Sequence, residues 1–210
     1  MRWKAIYGQY LVQGASNIKT LLKFDNGTGG SSNVDIVDEA GRTWTREGGD
    51  NTAYVSTTQA KYGVSSLYTP NEKYISAEYS TDFYFADGDF CIETWVYHVD
   101  TSKCFVFQWG DTSSYGYRLQ TRPYHTIGIR FEVVWNDGGD SLWVTYDDSV
   151  IQAITHGAWH HVAVSRYGGT ITLYLDGIAV ASETAVTMPD AISCSQPDDW
   201  KFYVTKREVF

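Results

Sequence analysis

Between Trp159 and Val180 the chain reads WHHVAVSRYGGTITLYLDGIAV, and apolar side chains recur at every second position through most of it. A period of two is the signature of a strand with one buried face. Gly168-Gly169 and Asp176-Gly177 each suit a two-residue hairpin loop, because such loops need backbone conformations that Gly and Asp tolerate. With those loops Val164 faces Leu173 and Val162 faces Leu175, then Leu175 faces Ile178 and Leu173 faces Val180. Both registers gather the six apolar residues on one face, whereas a slip of one residue would scatter them. The stretch predicts a three-stranded antiparallel meander.

The same reading extends along the chain. Residues 89–99, DFCIETWVYHV, predict a strand with Phe90, Ile92, Thr94 and Val96 on one face and Cys91, Glu93, Trp95 and Tyr97 on the other. Further strands are expected at 104–109, 115–120, 126–135 and 141–146, the last two joined by NDGGD at 136–140. Upstream, residues 18–24, 34–36, 42–45, 54–56, 62–68 and 73–76 read as strands between turn-rich stretches such as DNGTGGSSN at 25–33. Residues 79–86 are ambiguous and leave room for one helical turn. Nothing reads as an amphipathic helix, and strands recur with turn signals every 8–12 residues or so. An all-β, two-layer antiparallel β-sandwich follows. It spans 18–199, with an N-terminal arm at 1–17 and a strand-like tail at 200–210.

Composition sharpens this picture. The chain has 210 residues, 16% of them aromatic, including 16 Tyr and 8 Trp. That length buries a core large enough to fold without disulfides or metal. The net charge of −9 argues against nucleic acid or an anionic membrane as partner. No apolar run approaches the ~18 residues of a membrane-spanning helix. The first residues, MRWKAIYGQYLVQG, lack the apolar core of a signal peptide. Three cysteines are odd in number and widely spaced. Cys91 and Cys104 flank an expected hairpin whose register keeps them apart, so thiols are expected.

LLKFDNGTG (21–29), TTQAKYGVSSLY (57–68), GDFCIETWVY (88–97) and WHHVAVSR with ITLYLDG (159–177) together resemble the concanavalin A-like, laminin-G-like jelly roll. The nearest flavour is that of bacteriophage tail and capsid-surface proteins. The resemblance covers about residues 20–185. One departure concerns the end of the chain: the family closes with a strand like GYIDEVRI, and here the tail reads CSQPDDWKFYVTKREVF. The tail either supplies the closing strand or pairs with another subunit. The fold hosts lectins, glycosidases, lyases and structural modules, so function has to come from residues.

Catalysis finds little support among them. Glycoside hydrolases of this fold resemble one another in an ExDxxE strand, whose paired carboxylates lie about 5 Å apart in retaining enzymes. Here Glu93 is followed by Thr94 and Trp95. The lyase patterns RxExR and QxH do not occur, and no Ser-His-Asp, CxxC, HExxH or phosphate-loop pattern appears. His160 and His161 are neighbours on a strand, so they point to opposite faces: one packed or hydrogen-bonded, one solvated.

Binding has better candidates. Trp95 and Tyr97 share a face with Glu93, and Trp109, Tyr117, Trp135 and Trp143 extend that surface if neighbouring strands align. Flat rings suit the apolar face of a sugar, with Glu93, Arg118 or Arg130 bonding its hydroxyls. The alternative is that the rings fill the sandwich. Calcium is the one cofactor the resemblance implies, with Asp25, Asn26, Asp137 and Asp140 as hard-oxygen candidates and Asp147-Asp148 behind them. Asp and Asn also serve turns. Trp3, Tyr7, Tyr10, Trp200, Phe202 and Phe210 are candidate subunit contacts. The resemblance implies a non-enzymatic virion protein of a phage, decorating the capsid or belonging to the tail, with other virion proteins as partners. The second expectation is a lectin-like module that binds a host or environmental polysaccharide.

Overall fold

The computed structural model describes residues 18–25, 31–32, 36–47, 53–70, 73–83, 85, 88–111, 115–135, 140–184 and 201–206. The chain order of strands is β1 Ser31–Ser32, β2 Ile36–Val37, β3 Thr43–Glu47, β4 Tyr54–Ser56, β5 Ser66–Tyr68 and β6 Tyr74–Glu78. Then come β7 Phe90–Tyr97, β8 Cys104–Asp111, β9 Tyr115–Thr121, β10 Ile129–Trp135 and β11 Asp140–Tyr146. The last four are β12 Trp159–Tyr167, β13 Thr170–Leu175, β14 Ile178–Glu183 and β15 Lys201–Lys206. Among the described residues of the ambiguous stretch, Thr81–Phe83 form a 3-10 turn. Among the described residues no helix is long and apolar enough to cross a membrane.

The ladders form an eight-stranded sheet, β11-β10-β9-β8-β15-β6-β3-β2, a four-stranded sheet, β14-β13-β12-β7, and a small sheet, β1-β4-β5. All pairings are antiparallel, as the expected sandwich requires. The four-stranded sheet lies over the β10–β11 end of the large one. Between them sits one continuous core, with Phe83, Phe90, Phe131, Leu119 and Leu173 among its most buried side chains.

The meander follows its predicted register through the first hairpin, with Val164 opposite Leu173 and Val162 opposite Leu175. Both loops have two residues in the left-handed region, Gly168 and Gly169 at φ 55° and 82°, Asp176 and Gly177 at 49° and 83°. Those values match the mirror-image turns that suit strand twist. The second hairpin departs from expectation. Leu175 opposes Ile178 as predicted, but a bulge places Ala181, not Val180, opposite Leu173. A bulge inserts one unpaired residue, so the alternation no longer carries through β14. Ile178, expected in the core, is 69% exposed at the hairpin end.

Two other expectations fail. Residues 18–24 join no ladder among the described residues, although Thr20, Leu22 and Phe24 still alternate into the interior. β7 and β8 are not a hairpin: β7 pairs with β12 and β8 with β9 and β15, so residues 98–103 cross between sheets. Cys91 and Cys104 thus belong to different layers, and neither is in a disulfide.

The tail settles into the large sheet. β15 pairs with β6 on one side, Phe202 opposite Ala77, and with β8 on the other, Phe202 opposite Trp109. Phe202 therefore lies on an internal strand, the first of the two alternatives for the tail, and its side chain is outside the described residues. Glu47 Oε1 accepts from Ser76 Oγ at 2.8 Å and from Lys201 Nζ at 3.1 Å, tying β3, β6 and β15 together. Burial pushes the Glu47 carboxyl up, but the Ser76 hydroxyl and the Lys201 ammonium outweigh it and hold the group below its ordinary range.

Residues 18–24 are anchored by polar contacts instead of a ladder. Thr20 Oγ1 donates to Asp38, and Arg42 bridges Asp38 and Asp82 at 3.0 and 3.1 Å. Lys19 Nζ donates to Asp82 at 2.8 Å, and that bond lowers the Asp82 carboxyl pKa, with Arg42 adding to it and burial opposing it. A folded carboxyl that holds its proton less tightly than the unfolded one stabilises the fold fully above the ordinary carboxylate pKa, about 4. That stability disappears as pH falls through the lower folded value. Thermal melts from neutral pH down to about pH 2 should therefore show Asp82→Asn less stable than the native chain at neutrality and equal to it in acid. A constant gap across the range would remove the charge from this account.

Candidate functional site

A cleft of about 540 Å³ opens where β4 and β5 of the small sheet come alongside β7. Its floor is Val106 and Phe107 of β8 with Val204 of β15, and Leu22, Phe24 and Phe83 close one flank. The volume falls within the roughly 300–1,000 Å³ of small-molecule sites. β7 runs along the cleft and presents both its faces there. Ile92 and Val96 point inward and form the apolar wall; Glu93, Trp95 and Tyr97 point outward and form the lip.

The lip is continued by β12. Its register sets His161 opposite Trp95 and Trp159 opposite Tyr97. Trp159 meets Tyr97 edge-on at 5.5 Å, and the His161 ring lies 5.3 Å from Trp95. His161 Nε2 is 3.5 Å from the Glu93 carboxylate. From the far side Tyr62 packs edge-on to Trp95 at 5.8 Å, and the Lys61 ammonium stands 3.9 Å over the indole. Tyr54, Gln59 and Tyr68 border the mouth opposite β7. The result is a rim of rings interleaved with a carboxylate, an imidazole, an ammonium and an amide.

Of the residues expected to bind sugar, Glu93, Trp95 and Tyr97 come together here, and the others do not join them. Trp109 and Tyr117 are 3% and 4% exposed, stacked 4.9 Å apart at 16°. Tyr117 stacks in turn on Phe85, which stacks on Phe90. They are corrected to core side chains: inward positions of β8 and β9 meet the opposite layer, and a column of stacked rings fills that space. Arg118 lies on the outward side of β9, where its Nε donates to Glu132 Oε2 at 2.5 Å. Trp143 Nε1 donates to the other Glu132 oxygen at 2.9 Å, and the Arg130 guanidinium covers the Trp143 ring at 4.5 Å. That group belongs to the outer face of the large sheet, away from the cleft. The side chain of Trp135 is outside the described residues.

Of the calcium candidates, only Asp25 and the Asp147-Asp148 pair have described side chains. Asp25 sits on a turn against Gly63, where a Cβ would lie 2.1 Å from Asp25 Oδ1. Burial raises the Asp25 carboxyl pKa, with Lys23 opposing the shift. Asn26 and Asp137 lie outside the described residues, as does the side chain of Asp140. Among the described residues no group of three or more His, Cys, Asp or Glu could hold a metal. Asp148 is fully buried and accepts backbone N–H bonds from Tyr124, Ala153 and Ile154, so it organises its loop. Trp3, Tyr7, Tyr10, Trp200 and Phe210 also lie outside the described residues.

The two histidines divide as their alternation predicts. His160 is buried: Thr155 N–H donates to Nε2 at 3.1 Å, which leaves the ring proton on Nδ1 to be donated to Asp176 Oδ2 at 2.9 Å. His161 points outward to the lip. Reading the sequence missed Lys61, Tyr62, Trp159 and His161 as site residues, because only the β7–β12 pairing and the fold of the 57–68 segment bring them to Trp95. The signal available was the outward position of Trp159 and His161 on a predicted strand.

An antiparallel two-layer sandwich with an aromatic, carboxylate-bearing rim on an open cleft defines a jelly-roll module of the concanavalin A-like kind. The chain belongs to the concanavalin A-like lectin/glucanases superfamily, whose sequence pattern matches residues 69–200. The match takes in β6 to β14, and the motifs at 21–29 and 57–68 precede it. No curated protein matches the chain. Among solved structures it is similar to domain 4 of the extracellular arabinanase AbnA from Geobacillus stearothermophilus, in complex with arabinotriose. That likeness has 18% identity and a TM-score of 0.48, covering 80% of this chain and 76% of that one. It is also similar to a carbohydrate-binding module of Bacillus subtilis, at 15% identity and TM-score 0.42, over 78% and 88% of the two chains. Domains LG4-5 of the mouse laminin α1 chain give 14% and 0.45, over 81% of this chain and 40% of that one.

Proposed function

We propose that this protein is a non-catalytic carbohydrate-binding module whose glycan rests on the rim of the β7 cleft. One observation carries the reading: Glu93, Trp95 and Tyr97, adjacent outward positions of one strand, meet Trp159 of the next at a cleft mouth, with His161 packed against Trp95. The apolar face of a pyranose stacks on such rings, and hydroxyls find acceptors and donors in Glu93, His161 and Gln59. Membership of a superfamily that includes lectins agrees with this. Glu93 is the sole carboxylate among the described residues lining the cleft, whereas glycoside hydrolysis uses two flanking the bond. That supports binding without cleavage.

A place on a phage particle is compatible with the same module, which would then act as an adhesive surface unit. One of its supports has gone, since the β15 segment is internal to the large sheet. The test is a glycan array followed by affinity electrophoresis of the hits, with calcium and then with EDTA. Trp95→Ala should weaken retention roughly tenfold or more, in keeping with the ~1–3 kcal/mol a buried ring contributes. Trp143→Ala, on the outer face of the large sheet, should leave it unchanged. A folded protein that binds no glycan would refute the reading.

A further inference from the structure

The cleft is more apolar than a sugar alone requires. Behind the lip its walls are Leu22, Phe83, Ile92, Val96, Val106 and Phe107, all buried core side chains that nonetheless border the cleft. Several of the hydroxyls interspersed among them are already committed within the protein. Thr20 donates to Asp38, Ser66 Oγ donates to the Gln59 carbonyl at 2.7 Å, and Thr94 donates to the Trp95 carbonyl at 3.3 Å. Ser56 Oγ accepts the Thr58 N–H at 3.2 Å. The interior therefore offers hydrocarbon contact and few directed polar groups, while Glu93 and Gln59 stand at the mouth and Lys61 and His161 flank Trp95. A site divided in this way, polar outside and apolar inside, fits a ligand divided in the same way.

We propose that the cleft binds an amphiphilic glycoconjugate, its hydroxylated ring on the Trp95–Tyr97 lip and its hydrocarbon chain in the cavity between β7 and β8. The inference rests on the glycan reading and adds the class of aglycone. A free polysaccharide would use the lip alone; a lipid-linked or alkyl-linked sugar would use lip and cavity together. Each methylene that leaves water for the apolar wall raises affinity by about three- to fourfold, until the chain reaches the end of the cavity.

The experiment is calorimetric titration of the full chain with methyl, hexyl and octyl β-D-glucopyranoside, each below its micelle concentration, with 1-octanol as the tail alone. Octyl glucoside should bind at least thirtyfold more tightly than methyl glucoside and more tightly than octanol. Val96→Phe and, from the facing wall, Val106→Phe fill the cavity and should flatten the chain-length series. Two variants guard against one of them failing to fold, which a thermal melt reports. Trp95→Ala should weaken methyl and octyl glucoside by the same factor. Equal affinity for methyl and octyl glucoside overturns the proposal and leaves the glycan reading standing if the array hits persist. A chain-length effect that survives both cavity-filling variants places the tail elsewhere and overturns it as well. Octanol binding as tightly as octyl glucoside removes the head from the site and overturns it too. Array hits that vanish while octyl glucoside still outbinds both methyl glucoside and octanol refute the polysaccharide reading alone.

Discussion

Deleting residues 201–210 will abolish cooperative folding. β15 is the strand that joins the two parts of the large sheet, paired antiparallel to β6 and to β8. Without it β11-β10-β9-β8 and β6-β3-β2 become separate sheets, each with a newly exposed ladder edge. Val204 packs on the core, and Lys201 bridges to Glu47 at 3.1 Å and Glu78 at 3.8 Å. Losing the pairing on both sides, together with that packing, is of the order of a domain's entire stability, about 5–15 kcal/mol. The truncated chain should show no sigmoidal melt and no near-ultraviolet circular dichroism. A synthetic peptide of residues 199–210 in excess should restore part of both, since strand addition needs only the open edges. A truncated chain that melts at the native temperature would mean that the tail serves assembly alone.

Asp148→Ala should cost about 3–5 kcal/mol, a fall in melting temperature of roughly 10 °C for a chain of this size. The carboxylate accepts the N–H of Tyr124 at 3.1 Å, of Ala153 at 2.6 Å and of Ile154 at 3.2 Å. Removing it leaves three amides unsatisfied beside the buried Ile154, and each such group carries its own desolvation cost. Gly128 belongs to the same structure, because a Cβ there would lie 2.4 Å from Asp148 Cβ and 3.2 Å from the Tyr146 carbonyl. Gly128→Ala should therefore destabilise through the same loop, and the double variant should lose less than the two singles added together. Asp148→Asn, which keeps one acceptor, should fall between. EDTA should not move the melting temperature; a fall as large as that of Asp148→Ala would instead make Asp147 and Asp148 metal ligands.

The contrast between β12–β13 and β14 shows where reading a sequence succeeds. Val162, Val164, Leu173 and Leu175 alternate without interruption and flank a Gly-Gly loop, so local pattern and turn chemistry specify one register. In β14 the pattern also alternates, yet a bulge moves Val180 out of step, and no local signal encodes a bulge at that position. Residues 18–24 show the opposite limit: their apolar alternation is genuine, but burial beside Asp38, Arg42 and Asp82 replaces a ladder.

The site divides along the same line. Glu93, Trp95 and Tyr97 share a face because alternate residues of any strand do, and the sequence by itself determined that much, along with the antiparallel sandwich and the opposite orientation of His160 and His161. Which aromatics join them was decided by tertiary structure. Trp109 and Tyr117 have the same composition and alternation as Trp95 and Tyr97, but their side of the sheet meets the other layer, so they stack in the core. Likewise β7 leaves for a different sheet from β8, and β15 enters between β6 and β8 from more than ninety residues away in sequence. The physical reason is that periodicity fixes which side chains share a face, whereas the partner that covers a face is set by long-range pairing and packing, which a local pattern does not encode.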